Sequence, residues 1–425
     1  MLPIVSSHDR KSLARLWKAR EASLASAERA ASRIVREVRR HGDAALVLLT
    51  RRFDGVDLGK AGFTVGREEI VRARREVPPG FLPALRLAAR NIRAVARRQL
   101  PKAWQSETLK GVRVGEIVRP LRRVACYVPG GRYPLPSTVL MSAIPAQVAG
   151  VEDIVLTTPR PAATVLVAAD FLGIKKIYRL GGAQAVAAFA YGTASVPRAD
   201  KIVGPGNRFV AAAKKLVAGD CGIDFIAGPT ELVVVGGRGK AAWIASDLVA
   251  QAEHDPDAVT LFFTPSRALA VQVREAAGAL VARLGIRVAE DSLGRWGAIV
   301  VTGSLTEAIA LANSFAPEHL CLLDDAAQQL GRVRSAGSIF LGRTSPVAAG
   351  DYASGSNHIL PTSGAARLRG GLSARDFVKV ISVQRLSRPG LRRLRRAVVE
   401  LASTEGLAAH AHSIETRCTD DAQTA

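Results

Sequence analysis

The run Lys176-Ile-Tyr-Arg-Leu-Gly-Gly-Ala-Gln-Ala-Val-Ala-Ala-Phe-Ala-Tyr191 carries the pattern from which the fold is read. A short apolar segment, 176 to 180, meets a glycine pair and gives way to an apolar stretch of helical spacing, 183 to 191. The pattern returns at Lys201-Ile-Val203, followed by Gly204-Pro-Gly-Asn207 and helical spacing from Asn207 to Val217. Backbone N–H groups at such a helix start can hold a phosphate, and ligands of open α/β sheets lie beyond the carboxyl ends of strands. Neither turn is the G-x-G-x-x-G fingerprint, so each alone reads first as a plain structural connection.

Working outward, strand-like runs appear at Asp153 to Leu156, Glu231 to Val235, Val259 to Phe263, Ala298 to Val301, His319 to Leu323 and Ser338 to Leu341. Helical spacing fills Ala163 to Phe171, Ala241 to His254, Ala268 to Leu284 and Leu305 to Ser314. This alternation predicts βαβ units, an α/β fold with mostly parallel sheets covered by helices on both faces. Val112 to Val128 reads as strand material ending at Pro129-Gly130-Gly131, and Ala27 to Arg52 as helix interrupted at Gly42. Residues 1 to about 20 read as a polar helical arm, and a helical, arginine-rich tail is expected after Asp376.

At 425 residues the chain exceeds the size at which one core stops growing, and its 48% apolar content suffices for more than one. Apolar runs break well short of the ~20 residues that cross a bilayer, and Met1 to Arg20 lacks a signal-peptide core. Four scattered cysteines without a C-x-x-C fit a reducing cytoplasm, with Cys126 a small buried hydrophobe. The formal charge of +22 would suit nucleic acid. Yet the basic residues are spread over helical faces such as Arg72 to Arg75, and 5% aromatics leave few stacking platforms, so neither nucleic acid nor membrane is expected as a partner.

The chemistry concentrates in the second half. Gln251-Ala-Glu-His254 sets an amide and an imidazole on one helix face, and Pro256 places His254 near the helix end. This pair reads as a surface helix end or as part of a divalent-metal site that needs a carboxylate such as Asp351. His410 would complete a shell of two nitrogens and two oxygens, suited to zinc and open to manganese or cobalt. Pro317-Glu318-His319 puts a carboxylate beside an imidazole at a strand start, either an exposed polar turn or an acid–base pair able to deprotonate an alcohol or a water. Gly355-Ser-Asn-His358 with Leu360-Pro-Thr-Ser-Gly364 is a turn-rich loop that covers a polar ligand or simply lies on the surface.

Together these cassettes resemble the histidinol dehydrogenase family. The matching strings are Tyr127-Val-Pro-Gly-Gly131, Pro136-Ser-Thr-Val-Leu-Met141, Gly181-Gly-Ala-Gln-Ala185, Asp200-Lys-Ile-Val-Gly-Pro-Gly-Asn207 and Ala250-Gln-Ala-Glu-His-Asp255. Ala316-Pro-Glu-His-Leu320, Gly350-Asp-Tyr352, Asn357-His358 and Glu405 through His410 follow in the family's order, so the resemblance spans about residue 30 to residue 417.

The resemblance implies oxidation of L-histidinol to L-histidine through the aldehyde, with two NAD reduced in sequence and one zinc per subunit. It implies zinc ligands Gln251, His254, Asp351 and His410, a general base at His319, and activation of water by Glu318. Thr230, Glu231, His358 and Glu405 match positions near the substrate; Tyr127, Gln184 and Asn207 match NAD contacts. Two Rossmann-like, incomplete dinucleotide-fold domains are expected: 22–126 plus 229–372 carrying most of the zinc and catalytic site, and 127–228 binding NAD. An arm at 1–21 and a helical tail at 373–425 complete the layout, the tail crossing to the second subunit of a homodimer with shared active sites. Thr230, where many members have serine, and Arg132-Tyr133 depart from the pattern. They leave open a paralogue acting on another small alcohol, such as a sulfonated diol.

Overall fold

Along Glu231–Val235 every residue is buried, as expected of a parallel strand covered on both faces. Leu232 and Val234 pack into one apolar cluster and Val233 and Val235 into another, the period-two alternation of a strand seen from its two sides. The structure is a computed structural model that describes residues 2–18, 24–131 and 133–419.

The strands, in chain order, are β1 (Ile4–Ser6), β2 (Trp104–Leu109), β3 (Val112–Pro120), β4 (Arg123–Tyr127), β5 (Asp153–Thr157), β6 (Lys176–Tyr178) and β7 (Lys201–Val203). They continue with β8 (Gly222–Ile223), β9 (Glu231–Val235), β10 (Val259–Thr264), β11 (Ala298–Val301), β12 (His319–Leu322), β13 (Ser338–Leu341) and β14 (Val378–Leu386). They form a mixed α/β fold with two parallel sheets, β1-β11-β10-β9-β12-β13 and β6-β5-β4-β7-β8, and one antiparallel sheet, β14-β3-β2.

The chain divides into two compact units. The first draws on the residues before Leu100 and on Leu121–Phe377, and holds both parallel sheets; the second draws on Leu100–Pro120 and the chain from Val378 onward. Within the first unit, helices Ala241–Ala252 and Arg267–Leu284 pack one face of the six-stranded sheet, and Arg10–Lys18 and Leu305–Phe315 the other. On the five-stranded sheet, Phe81–Gln99, Pro136–Ala149 and Ala163–Phe171 cover one face. Leu24–Asp54, Gly182–Tyr191 and Arg208–Val217 cover the other. Cys126 is a wholly buried member of this core, and burial pushes its thiol up to about 12. No helix of the described residues is long and apolar enough to cross a membrane.

Several expectations are corrected. The arm begins with a strand, β1, whose Ile4-Val5 adds to the edge of the six-stranded sheet beside β11. Its residues 1 and 19–21 lie outside the described residues, as does Arg132. The tail is not wholly helical: Val378-Lys-Val-Ile-Ser-Val383 is rich in β-branched residues, and β14 pairs with β3 over its full length before helices Arg388–Thr404 and Ala408–Thr419. The expected break after residue 126 falls inside β4, which pairs with β5 and β7. Helix Leu24–Asp54, expected with the six-stranded part, packs on the five-stranded sheet instead. The interruption at Gly42 is real, a kink with φ 52° and ψ −126°.

Candidate active site

Helix Leu305–Phe315 ends at Ala316, a wholly buried residue in the left-handed region with φ 52°, whose N–H returns to the carbonyl of Ala312 at 2.7 Å. This cap turns the chain through Pro317 into β12, so Glu318 and His319 arrive at the amino edge of the six-stranded sheet. Glu231 opens the neighbouring strand β9 at the same edge. The helix after β9, Ala241–Ala252, delivers Gln251 in its last turn, with His254 two residues beyond its end. The general rule places ligands of such sheets at the carboxyl edge; this cluster forms at the opposite one.

The Glu318 carboxylate accepts hydrogen bonds from the Thr230 hydroxyl at 2.5 Å and the Glu231 amide at 2.8 Å, and lies 3.5 Å from Nδ1 of His319. Gln251 donates its amide nitrogen to the Thr230 hydroxyl, which leaves its carbonyl oxygen uncommitted by that bond. His319 Nδ1 is 3.1 Å from the carbonyl of Glu231. A carbonyl only accepts, so in the neutral ring Nδ1 carries the proton and Nε2 carries the lone pair. Nε2 is buried without a hydrogen bond among the described residues and faces Asp351 Oδ1 at 3.4 Å.

Burial pulls the His319 pKa down, but the carboxylates of Glu318 and Asp351 outweigh it and push it up to about 10. Asp351 is raised by burial, yet His319, His358 and His254 together hold it below the usual carboxylate range. His358 donates Nδ1–H to the carbonyl of Asp351 at 2.9 Å, which leaves Nε2 to accept from Thr138 at 3.2 Å; burial lowers its pKa. Thr230, Gln251, His254, Glu318, His319, Asp351 and His358 all line one cavity of about 500 Å³. His410 and Glu405 are exposed residues of the second unit.

No three His, Cys, Asp or Glu side chains among the described residues converge as a metal shell. The candidate donors in the cavity are of mixed kind: the Gln251 amide oxygen, the exposed His254 imidazole and the Asp351 carboxylate. That set suits a borderline divalent ion and is one donor short of a tetrahedral shell.

A second cavity, of about 1050 Å³, opens at the carboxyl edge of the five-stranded sheet. The strand order β6-β5-β4-β7-β8 reverses between β4 and β7, the switch point at which such sheets bind ligands. Tyr127 ends β4, and its hydroxyl accepts the Gly182 amide at 3.0 Å; burial pushes its pKa up to about 12. Gln184, also buried, donates to Asp54 at 3.0 Å. Asn207 caps helix Arg208–Val217 through the amides of Phe209 and Val210, and it lines both cavities.

Arg33, Arg36 and Arg40, one face of helix Leu24–Asp54, line this cavity with Arg52 and Arg160. The sequence alone spreads the basic charge over helical faces such as Arg72 to Arg75; the i, i+3, i+7 spacing of Arg33, Arg36 and Arg40 is the signal that marks this wall. Thr138 was likewise not assigned a role, since nothing local links it to His358, 220 residues away. Tyr133 is exposed and lines neither cavity.

A carboxylate–imidazole pair buried at one cavity, with strand–glycine–helix turns opening a second, defines an α/β enzyme. Residues 18–418 match the family model described as histidinol dehydrogenase. The chain is 50% identical over 396 residues to the histidinol dehydrogenase of Methanothermobacter thermautotrophicus, covering 91% of this chain and 92% of that one. It is 45% identical over 425 residues to that of Moorella thermoacetica, covering 98% and 100%. The solved structure of histidinol dehydrogenase from Elizabethkingia anophelis superposes with a TM-score of 0.93 at 33% identity, over 99% of this chain and 98% of that one. The chain belongs to the histidinol dehydrogenase family and is an oxidoreductase.

Proposed function

We propose that the chain oxidises L-histidinol to L-histidine by way of the aldehyde, reducing two NAD in turn. The observation that supports it best is the network Gln251–Thr230–Glu318–His319, which aims one buried imidazole nitrogen, His319 Nε2, into the cavity beside Asp351. Part of the carboxylate charge that keeps the ring protonated would be offset by zinc held at Asp351, which would let Nε2 accept a proton. In the first oxidation His319 Nε2 takes the proton of the alcohol hydroxyl while hydride passes from the carbon that bears it to NAD. Glu318 takes a proton from the water that adds to the aldehyde. As the water adds, His319 returns its first proton to the aldehyde oxygen. Neutral again, it takes a hydroxyl proton of the hydrate while the second hydride passes to a second NAD, and the carboxylate forms once the acid and Glu318 lose their protons to solvent.

Gln251, His254 and Asp351, with His410 from the second subunit of a homodimer, would hold zinc. When bound, zinc supplies a Lewis-acid anchor for the substrate's imidazole and amine. Glu405, like His410 from the second subunit's tail, would contact the same substrate, and His358, bonded to Asp351 and Thr138, would do so from the cavity wall. Tyr127, Gln184 and Asn207 would hold NAD at the carboxyl edge of the five-stranded sheet, with the arginine wall facing its phosphates. In this reading the two parallel sheets are incomplete Rossmann-like halves, and the enzyme works in the cytoplasm on the histidine-forming pathway.

The test is NAD reduction by zinc-loaded protein with L-histidinol, counting NADH per histidine. Two NADH per histidine, lost on chelation and restored by zinc, is the expected result. No reduction by a zinc-loaded dimer would move the reading to another small alcohol.

A further inference from the structure

We propose that the buried ion pair Lys214–Asp224 is a positioning clamp that presets the Gly204-Pro-Gly-Asn207 turn for the dinucleotide before any cofactor arrives. The inference rests on the second cavity being the NAD site. Lys214 is 3% exposed and the Asp224 side chain is wholly buried; neither lines a cavity, so neither touches a ligand there.

Both backbone groups of Gly204 are bonded to this pair. Its N–H donates to Asp224 Oδ2 at 2.7 Å, and its carbonyl accepts from Lys214 Nζ at 2.5 Å. The lysine closes the ring on Asp224 Oδ1 at 2.6 Å, and the same oxygen accepts the Phe225 amide at 2.7 Å. Gly204 sits at φ 120°, and a Cβ there would lie 2.1 Å from the carbonyl oxygen of Tyr127, so the turn is pressed onto the end of β4. The far side of the clamp is also fixed: Arg369 donates to the Asp224 carbonyl at 2.5 Å, and its guanidinium lies over the Phe225 ring.

From this one point the chain leaves in two directions. Pro205, Gly206 and Asn207 border the catalytic cavity, and Asn207 and Phe209 also border the second; beyond Asp224 the chain runs to Thr230. A buried ion pair adds little stability over an apolar pair of similar volume. An apolar pair, however, could bond neither the N–H nor the carbonyl of Gly204. The arrangement therefore serves geometry: the distance between Asn207 and the catalytic wall is set by charge-assisted bonds already made in the apoenzyme.

The test substitutes Asp224→Asn, which keeps volume but turns an amide N–H₂ toward one of the three donors that the carboxylate accepts. Expected is a rise of about tenfold or more in the NAD dissociation constant, with zinc content and kcat at saturating NAD within about threefold of the parent. Lys201→Met, which removes a different part-buried lysine paired with Asp376, should leave NAD binding unchanged. A folded Asp224→Asn protein that binds NAD as the parent does would overturn the clamp. Should Asp224→Asn not fold, amide exchange on the parent apoenzyme decides. The Gly204 N–H should already be strongly protected without NAD, and protection appearing only on NAD addition would overturn the proposal. If the parent itself binds no NAD, the assignment of the second cavity fails, while the exchange measurement still reports whether the turn is preset.

Discussion

Glu231 and Glu318 exchange backbone-to-carboxylate hydrogen bonds: the Glu231 amide donates to Glu318 at 2.8 Å, and the Glu318 amide donates to Glu231 at 3.3 Å. The remaining Glu231 oxygen accepts the Ser363 amide at 2.8 Å. Two adjacent parallel strands are thus pinned at their amino ends, and the Glu318 carboxylate is held by its neighbour's backbone. Glu231→Gln would turn an amide N–H₂ toward a backbone N–H at one end of this exchange. The unfolding midpoint in urea should fall by the equivalent of about 1–3 kcal/mol. kcat should fall with it, and if the dinucleotide binds at the other sheet its dissociation constant stays unchanged.

Glu318 and His319 should separate when each is altered. His319→Asn removes the nitrogen that accepts the alcohol proton, so single-turnover NADH formation from histidinol should drop about 10²–10⁴-fold. Glu318→Gln leaves that nitrogen in place and weakens the water-adding step. The first NADH should therefore appear near the parent rate while the second lags, read as aldehyde captured by a carbonyl reagent. Equal loss of both steps in Glu318→Gln would count against the division of roles.

Much of this site was legible because its residues come in short cassettes, each at the end of a strongly patterned element. Val259 to Phe263 and Ala163 to Phe171 announce themselves by an apolar, β-branched run and by helical spacing, and they fold as read. Val378–Leu386 is hidden in the sequence by arginine-rich surroundings like those of the helices that follow, and by adjacent Val380 and Ile381, which break the alternation of a strand; β-branched content is its remaining signal. The Glu231–Glu318 exchange and the Lys214–Asp224 clamp were out of reach for a different reason. The first joins residues 87 positions apart through backbone amides, and the second pairs two side chains around the N–H and carbonyl of Gly204; backbone groups carry no residue identity.

Ala316 stores strain just ahead of the catalytic pair. A left-handed conformation costs an L-residue about 1–2 kcal/mol, while the buried methyl of alanine is worth about 1 kcal/mol. Ala316→Gly should therefore change stability by no more than about 1 kcal/mol, with kcat unchanged. Ala316→Val places a β-branched side chain at φ 52° in a fully buried position, and should cost more than about 2 kcal/mol in a urea titration. Equal stability of the two variants would contradict the geometry of this cap.

Asp247, one turn before Gln251, is half-buried, and burial raises its pKa from 3.8 to about 6. The native state then holds a proton that the unfolded chain has released, so stability falls as pH rises between those two values and stays level above them. Asp247→Asn removes this dependence. It should raise stability at pH 8 by on the order of 2 kcal/mol, and the gain should vanish toward pH 4. Melting temperatures across that range check the sign: a gain largest at low pH would be the wrong direction.

Asp351 lines the cavity of about 500 Å³ in the first unit, whereas His410 lies on helix Ala408–Thr419 of the second. If the two act on one metal across a dimer, neither Asp351→Ala nor His410→Ala protein should bind zinc tightly or turn over. Refolding the two together makes half the dimers mixed, and each mixed dimer regains one of its two sites, with Asp351 from one chain and His410 from the other. Activity and tightly bound zinc should both return to about a quarter of the parent value. Ligands supplied by a single chain would instead leave the mixture as inactive and as zinc-poor as its parents, and the shared-site reading would have to be abandoned.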